Sequence, residues 1–335
     1  MKAFQYVTAG SPEEAASLIG PNGRYLAGGI DLLGEMKDYI VSPDILVSLN
    51  QAKQLGSWLN LGTSILSINI NPNQKQPDHY LIGALVTVAD IAASDALIKF
   101  LPGLAEAAAE VGSPQIRNVA SLAGNLLQHS RCWYYRQPDI VCLKRGGDMC
   151  HAQHGENKYH SLFTGNPCIS PIVSNLSVIL AALDATANVL RAGKAQPMTM
   201  AELYHEAWVN PTAHNSLDPQ DFLTSVQVPL KRTRSAYRQV SEKREFDWAL
   251  VSCAAAGNVT GGNLTDARVV LGAVAPVPYM VEEANKFLEG KPLTDDTASK
   301  AADIILRDAK PLEHNGYKVP LAHALIRRTL LALNP

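Results

Sequence analysis

The chain has 335 residues, of which 47% are apolar and 18% are charged, and its formal net charge is −2. This length allows two or three domains with buried cores, and the near-neutral charge gives no indication of binding to nucleic acid or to a membrane surface. The apolar runs are too short to span a bilayer, and the N-terminus has neither an apolar signal core nor twin arginines. We therefore expect a cytoplasmic protein by its own sequence, with export to the periplasm on a partner's signal left open.

The first fifty residues predict a β-α-β unit. In order, the pattern predicts a strand at 2–7, a helix that begins at Ser11-Pro12, a strand at 24–29, a short helix at 30–37 and a strand at 44–49. Strand-like runs follow at 58–69 and 81–87, and helices are expected from Thr87 to Phe100 and at 104–112.

A second unit begins near residue 229. Strands are expected within 236–257 and at 267–274, and three helices at about 281–289, 294–307 and 320–333. The predicted class is α+β, with one domain over residues 1–228 and another over 229–335 that combines a small antiparallel sheet with three helices.

Two turns rich in small residues have the chemistry of a nucleotide site. The first turn, Ala27-Gly28-Gly29-Ile30-Asp31-Leu32-Leu33, joins a strand to a helix, and free amides there attract a diphosphate. It is not GxGxxG and no acidic residue follows at the nicotinamide spacing, so a Rossmann dehydrogenase is disfavoured. The second turn runs from Ser113 to Asn118 and on through Ser121, Gly124 and Asn125. Each could be an ordinary connection, but together they favour a dinucleotide clamp.

Four of the five cysteines fall within residues 131–170, a stretch without helical or strand periodicity. They are Cys132, Cys142, Cys150 and Cys168. A long loop of this kind is functional, held by a metal, or disordered, and four thiolates suit zinc and iron–sulfur clusters alike. The spacing does not choose between these metals. His151, His154 and His160 could also be ligands, although such histidines are more often solvated polar residues; Cys253 is expected in the core.

Taken together, "YLAGGIDLLGEMK", "GSPQIRNVASLAGNLLQ" and "LTDARVVLGAVAPVP" resemble three segments of the FAD-binding subunit of the molybdenum hydroxylases, the xanthine dehydrogenase and carbon monoxide dehydrogenase family. The resemblance covers nearly the whole chain. It implies a fold like that of the vanillyl-alcohol oxidase flavoproteins, in which FAD lies between two N-terminal α+β subdomains.

The same resemblance implies which residues bind FAD. The diphosphate would lie on the amides of residues 27–33, with Ser113, Asn118, Ser121, Gly124 and Asn125 as the second wall and Lys243 near the flavin. Asn175 stands where relatives usually have an aspartate for the FAD ribose, and Ala123 replaces the first glycine of a GGN turn. The asparagine keeps an acceptor, and the alanine is tolerable unless its φ must be positive.

Most members of this family lack a cysteine cluster here. The flavin subunits of bacterial three-subunit aldehyde oxidoreductases carry an additional [4Fe-4S] cluster, and those of the 4-hydroxybenzoyl-CoA reductases also carry a cluster. The stretch "RCWYYR" resembles the aldehyde group more. The implied cluster ligands are Cys132, Cys142, Cys150 and Cys168.

The resemblance implies an electron-transfer subunit of a heterotrimer that oxidises an aldehyde to a carboxylic acid. A large molybdenum-cofactor subunit and a small [2Fe-2S] subunit would pass electrons to FAD and on to an external acceptor. Two alternatives remain: a stand-alone flavin oxidase of the same fold, or a four-cysteine zinc loop that serves assembly only. The absence of a catalytic base near the flavin motifs argues against the oxidase.

Overall fold

A computed structural model describes residues 1–50, 68–70, 78–243 and 246–334. Within these ranges the chain builds three sheets, each with its own helices. Most of the predicted strand at 58–69 lies outside the described residues, and β4 (Ile68–Ile70) is the part that is described.

The first sheet is parallel, as expected from the β-α-β pattern at the N-terminus. Strand β3 (Ile45–Ser48) lies between β1 (Gln5–Thr8) and β2 (Gly23–Leu26). Helix α1 (Pro12–Leu18) begins where the Ser11 hydroxyl accepts from the Glu14 amide, and α2 (Leu32–Lys37) follows the glycine turn. The turn therefore leaves the carboxyl end of a parallel strand at the edge of the sheet, and ligands bind at the carboxyl ends of the strands in such sheets.

The second sheet is antiparallel and contains strands that are distant in the sequence. Its order is β4, β5 (His79–Gly83), β8 (Phe222–Pro229), β6 (Thr186–Arg191) and β7 (Lys194–Thr199). The predicted boundary between residues 228 and 229 falls at the end of β8, and the division itself stays a prediction.

Helices cover this sheet and supply the largest core. They are α3 (Val88–Ala93), α4 (Asp95–Phe100), α5 (Pro102–Ala109), α6 (Pro114–Arg117), α7 (Leu122–Leu126), α8 (Asn175–Ala182) and α9 (Met200–Val209). The single helix predicted to Phe100 is divided at Ser94, because the Ser94 hydroxyl accepts from the Leu97 amide and so caps a new helix.

The C-terminal sheet has the order β12 (Tyr279–Met280), β11 (Asn263–Gly272), β10 (Val251–Thr260) and β9 (Arg234–Val240), with β13 (Lys291–Pro292) on β11. Three helices follow as predicted: α10 (Glu282–Leu288), α11 (Asp295–Leu306) and α12 (Lys318–Leu331). Helix α12 and helix α8 both contact β10. Ala254, Ala255 and Ala256 are fully buried there, since small side chains let helices approach both faces of the strand. The α+β class with this C-terminal arrangement is confirmed.

The cysteine loop, residues 131–170, contains only short 3₁₀ turns at Leu143–Arg145 and His151–Gln153, so the expected lack of regular structure is confirmed. The loop is nevertheless fixed on the C-terminal domain. The Asn315 side chain donates to the carbonyls of His160 (3.2 Å) and Ser161 (3.1 Å), and the Leu162 amide donates to the Val274 carbonyl at 2.8 Å. None of the helices in the described ranges has the length and apolarity needed to cross a membrane.

Candidate flavin cleft and thiol cavity

A cleft of about 580 Å³ opens at the carboxyl end of β2, between the two predicted turns. Its lining includes ten of the residues proposed from the sequence: Ala27, Gly28, Gly29, Ile30, Asp31, Leu32, Ser121, Gly124, Asn125 and Asn175. The volume is within the range of ordinary ligand sites. The tertiary structure therefore brings both turns to one cavity.

The first turn leaves backbone donors without protein acceptors. In the described part of the chain, the N–H groups of residues 28–31 make no hydrogen bond. Gly29 has φ of +73°, and a Cβ on Gly28 would lie 2.1 Å from the Val119 carbonyl oxygen. The glycines are thus required for the turn's conformation and for its packing on the second turn. Free N–H groups lining a cleft fit the oxygens of a diphosphate.

The second turn is held by side-chain caps. The Ser121 hydroxyl accepts from the Gly124 amide at 3.1 Å and caps α7. Asn125 accepts on its side-chain oxygen from the Ser174 hydroxyl (2.7 Å) and the Leu176 amide (3.3 Å). Its amide nitrogen donates to no protein atom in the described ranges, so it is available to a ligand. Ala123 lies within α7 and is not among the residues with positive φ, so its methyl group is accommodated.

Four residues proposed for the flavin do not line the cleft: Leu33, Ser113, Asn118 and Lys243. Ser113 caps α6 by accepting from the Ile116 amide, and Asn118 is exposed. Lys243 is exposed, and its amide donates to the Asp247 carboxylate at 3.1 Å. Neighbours in the same loop, Phe246, Asp247 and Trp248, line the cleft instead.

Several cleft residues were missed in the sequence because they lie between or beyond the motifs. Glu35 is one turn into α2, and His129 follows the second turn. Both line the cleft, and His129 is a basic group beside the flavin motifs, so the expected absence of a catalytic base there no longer argues against the oxidase. The missed signal was the i, i+4 spacing of Asp31 and Glu35, which brings both carboxylates to one side of α2.

These two carboxylates are held by one short segment, residues 129–136. Asp31 accepts from Arg131 Nη2 (2.8 Å), Arg136 Nη2 (2.7 Å) and the His129 amide (2.7 Å). Burial alone would raise the pKa of Asp31, but the two guanidinium groups hold it below its usual value. We refer to Asp31, Glu35 and the groups of residues 129–136 that bind them as the ionic clasp.

Glu35 is the buried half of the clasp, with its side chain 2% exposed. It accepts from the Tyr135 hydroxyl at 2.9 Å, lies 3.0 Å from His129 Nδ1, and lies 3.6 Å from Arg136. Burial and the Glu35 charge raise the pKa of Tyr135, so its hydroxyl keeps its proton and donates.

Ligand atoms of Asp31, Glu35 and His129 lie within 4.8 Å of one another, a spacing that a metal ion could use. The arginines of the clasp already neutralise this group, however. His129 also stacks on the partly buried His214, with ring centroids 4.0 Å apart. The arrangement therefore fits a structural ion-pair network better than a metal site.

The four clustered cysteines line a second, small cavity together with His151 and His160. Cys142 and Cys168 are buried, and Cys132 and Cys150 are partly exposed. The structure thus brings together all four residues proposed as ligands. Cys253 lies apart from them, fully buried in β10 as expected.

The sulfur spacing bears on which metal this cavity suits. No three of the four cysteine sulfurs, all in the described ranges, lie within 4.8 Å of one another. A tetrahedral zinc ion with Zn–S bonds of about 2.3 Å needs sulfurs about 3.8 Å apart. A polynuclear cluster holds its thiolates farther apart, because each binds a different iron.

Two nitrogen groups face the thiols. His160 Nε2 lies 3.1 Å from Cys132 Sγ, and burial lowers the pKa of His160 to about 4, so the ring is neutral. Lys144 also lines the cavity; it is buried and donates to the Ala213 carbonyl at 2.8 Å. A buried cation at this position offsets one of the four thiolate charges.

Comparison with known proteins agrees with both domains. Residues 2–231 match the model of the FAD binding domain in molybdopterin dehydrogenase, and residues 235–333 match that of the CO dehydrogenase flavoprotein C-terminal domain. The chain belongs to this flavoprotein family. It is an FAD-binding subunit of the molybdenum hydroxylases, and therefore a subunit of an oxidoreductase.

The relatives span the full length of this molybdenum hydroxylase subunit. The aldehyde oxidoreductase FAD-binding subunit PaoB of Escherichia coli K12 is 31% identical, over 99% of this chain and 98% of its own. The glyceraldehyde dehydrogenase medium chain of Sulfolobus acidocaldarius is 24% identical over 93% of this chain and 91% of its own. A chain of CO dehydrogenase from Oligotropha carboxidovorans shares the fold, with a TM-score of 0.74 at 22% identity over 99% of this chain and 98% of its own.

Proposed function

We propose that this chain is the electron-transfer subunit of a heterotrimeric molybdenum-containing aldehyde oxidoreductase, and that it carries both FAD and a [4Fe-4S] cluster. A large molybdenum-cofactor subunit would oxidise an aldehyde to a carboxylic acid, and a small [2Fe-2S] subunit would deliver the electrons. FAD held in the cleft would supply the two-electron chemistry, and an external acceptor would receive the electrons. The observation that carries the proposal is the convergence of four cysteines on one cavity beside the flavin cleft.

The cleft fits FAD on its own chemistry. The unpaired N–H groups of residues 28–31 would hold the diphosphate, and Asn125 would donate from the opposite wall. Phe246 and Trp248, from the C-terminal domain, line the same cleft and would exclude water from part of the cofactor. Asn175 also lines the cleft, and its side-chain nitrogen donates to Gln239 at 2.7 Å, which leaves its oxygen for a ribose hydroxyl.

The thiol cavity has the ligands of an iron–sulfur cluster. Cys132, Cys142, Cys150 and Cys168 supply the four thiolates that such clusters require. In the described ranges no three of their sulfurs lie within 4.8 Å of one another, although Cys150 and Cys168 share a hydrogen bond, and Lys144 offsets part of their charge. Four thiolates also suit zinc, so metal and sulfide analysis decides between a cluster and the zinc alternative.

The substrate class rests on sequence similarity to the aldehyde oxidoreductase subunit of Escherichia coli, which extends across the whole chain. That similarity also supports the molybdenum and [2Fe-2S] partners. The absence of a base near the flavin no longer argues against the stand-alone oxidase, because His129 lines the cleft. Measuring aldehyde turnover by the isolated chain distinguishes the oxidase from the subunit role.

The test is purification of the native complex from the organism that encodes it, with an affinity tag on the chromosomal copy of this chain. We expect two further subunits, flavin absorption bands, molybdenum, and reduction of a dye by aldehydes. The isolated chain with FAD should show no aldehyde turnover. Turnover by the isolated chain would favour the oxidase, whereas a complex without flavin bands would overturn the FAD assignment.

A further inference from the structure

We propose that Arg131 and Arg136 are positioning residues for the flavin-binding turn, and that through them assembly of the cluster controls the affinity for FAD. This inference rests on the proposed function, since it requires a cluster on Cys132. It assigns to the ionic clasp a role that the two cofactor sites alone do not require.

Asp31 anchors the flavin-binding turn. Its carboxylate lies in the turn whose N–H groups would hold the diphosphate, yet it accepts from three donors of residues 129–136 within 2.8 Å. It is therefore an anchor of the turn and not a donor to the cofactor. A carboxylate freed at this position would repel the diphosphate, because both are anionic.

The donors to Asp31 share a short segment with a proposed cluster ligand. Cys132 lies next to Arg131, and its carbonyl accepts from the Arg136 amide at 3.0 Å. Arg136 Nε donates to the Ser130 carbonyl at 2.7 Å, and the Ser130 hydroxyl accepts from the Cys132 amide at 3.0 Å. Cys132 and both arginines thus belong to one hydrogen-bonded turn, so fixing the cysteine sulfur fixes the guanidinium groups.

Glu35 carries the second negative charge of the clasp. In the described ranges its side-chain partners are Tyr135, His129 and Arg136, all from the same segment. Separating the segment from α2 would leave a buried carboxylate unpaired, which is strongly unfavourable. The segment and the flavin-binding turn are therefore expected to move together.

Charge balance makes the consequence specific. Two carboxylates and two guanidinium groups give the clasp a net charge of zero beside the diphosphate position. If loss of the cluster releases the segment, the arginines leave Asp31 and an uncompensated negative charge faces the cofactor. FAD affinity should then fall without any change in the residues that contact FAD.

The experiment measures the FAD dissociation constant of the deflavinated native complex by fluorescence titration, together with iron and acid-labile sulfide per complex. Cys142→Ser removes a cluster ligand outside the segment, and Arg136→Met removes one of the two guanidinium groups of the clasp without changing a cluster ligand. We expect Arg136→Met to keep its iron and to bind FAD about tenfold or more weakly. Cys142→Ser should lose the cluster iron and weaken FAD to a similar extent.

The Cys142→Ser/Arg136→Met double variant should bind FAD no more weakly than whichever single variant binds it less tightly. Both substitutions act on FAD through the same contacts with Asp31, so their effects should not add. Arg307→Met is the matched control: it breaks an exposed ion pair with Glu283 in the C-terminal domain and should leave FAD affinity unchanged. Iron can also be removed oxidatively from the assembled wild-type complex, which tests the coupling when Cys142→Ser does not assemble.

A second-site change separates the charge argument from simple loss of structure. Arg136→Met leaves the clasp with a net charge of −1, and Asp31→Asn placed in that background returns the net charge to zero and should recover part of the FAD affinity. No recovery would overturn the charge argument. A complex without cluster iron that binds FAD as tightly as wild type would overturn the coupling, whereas wild-type complex lacking that iron would instead overturn the proposed cluster.

Discussion

Gly28 packs directly on the carbonyl of Val119, so closely that a Cβ on Gly28 would lie 2.1 Å from the carbonyl oxygen. This contact joins the two turns of the cleft. Gly28 is therefore needed for contact between two pieces of protein as well as for access to a cofactor.

Gly28→Ala should force the turns apart, because neither partner at the contact is a flexible side chain. We expect a loss of about 1–3 kcal/mol in stability and weaker FAD binding. Gly34→Ala is the matched control, since a Cβ there meets nothing within 4 Å and the residue lies in α2. It should stabilise by about 0.5–1 kcal/mol. Urea unfolding and FAD titration check both, and equal behaviour of the two variants would contradict the packing argument.

Replacing a cysteine of the thiol cavity should change metal content. We expect Cys150→Ser to lower the iron and acid-labile sulfide content of the complex by about four atoms each. Cys253→Ala, in the core of β10 and away from the cavity, should keep the full metal content. Metal and sulfide analysis of purified complexes checks this. Loss of a single zinc ion in the first variant would favour the zinc loop.

Asn125 joins the second turn to the start of α8. Asn125→Ala leaves the Ser174 hydroxyl and the Leu176 amide without their acceptor, so we expect a loss of about 1–3 kcal/mol and weaker FAD binding. Asn118→Ala changes an exposed residue outside the cleft and should alter neither quantity. A drop in FAD affinity for Asn118→Ala would support the sequence-based prediction that this residue contacts the flavin.

Lys318 is fully buried and donates to the carbonyls of Tyr159 and Ala273, both at 2.9 Å. Burial lowers the pKa of Lys318 from its usual 10.5 to about 7. Between these values the unfolded chain binds the proton and the folded chain does not, so stability rises with pH from about 7 to about 10.5.

Lys318→Met should abolish this part of the pH dependence, which amounts to roughly 3–5 kcal/mol across the window. The variant also leaves two carbonyls without a donor, so it should be less stable than wild type at high pH. The measurement is the urea midpoint of both proteins at several pH values; parallel pH profiles would contradict the assignment. Other groups that titrate in this window are common to both proteins and cancel in the difference.

The local patterns of the sequence were sufficient for most elements. The three C-terminal helices and the N-terminal β-α-β unit lie within a few residues of their predictions, because their caps and apolar periods are set by neighbours in the chain. The division of the helix before Phe100 was missed, since it depends on the Ser94 hydroxyl choosing the Leu97 amide as its partner.

In the candidate site too, motifs that are local in the sequence were predicted, whereas contacts between distant residues were not. The sequence by itself determined the two turns and the four cysteines, because free amides and thiolates mark such sites wherever they fold. Only the tertiary structure decided that Asp31 is bound by Arg131 and Arg136 and that Asp247 and Trp248, not Lys243, line the cleft. These contacts join residues about a hundred positions apart or more, and their geometry depends on how the sheets and the cysteine loop pack together.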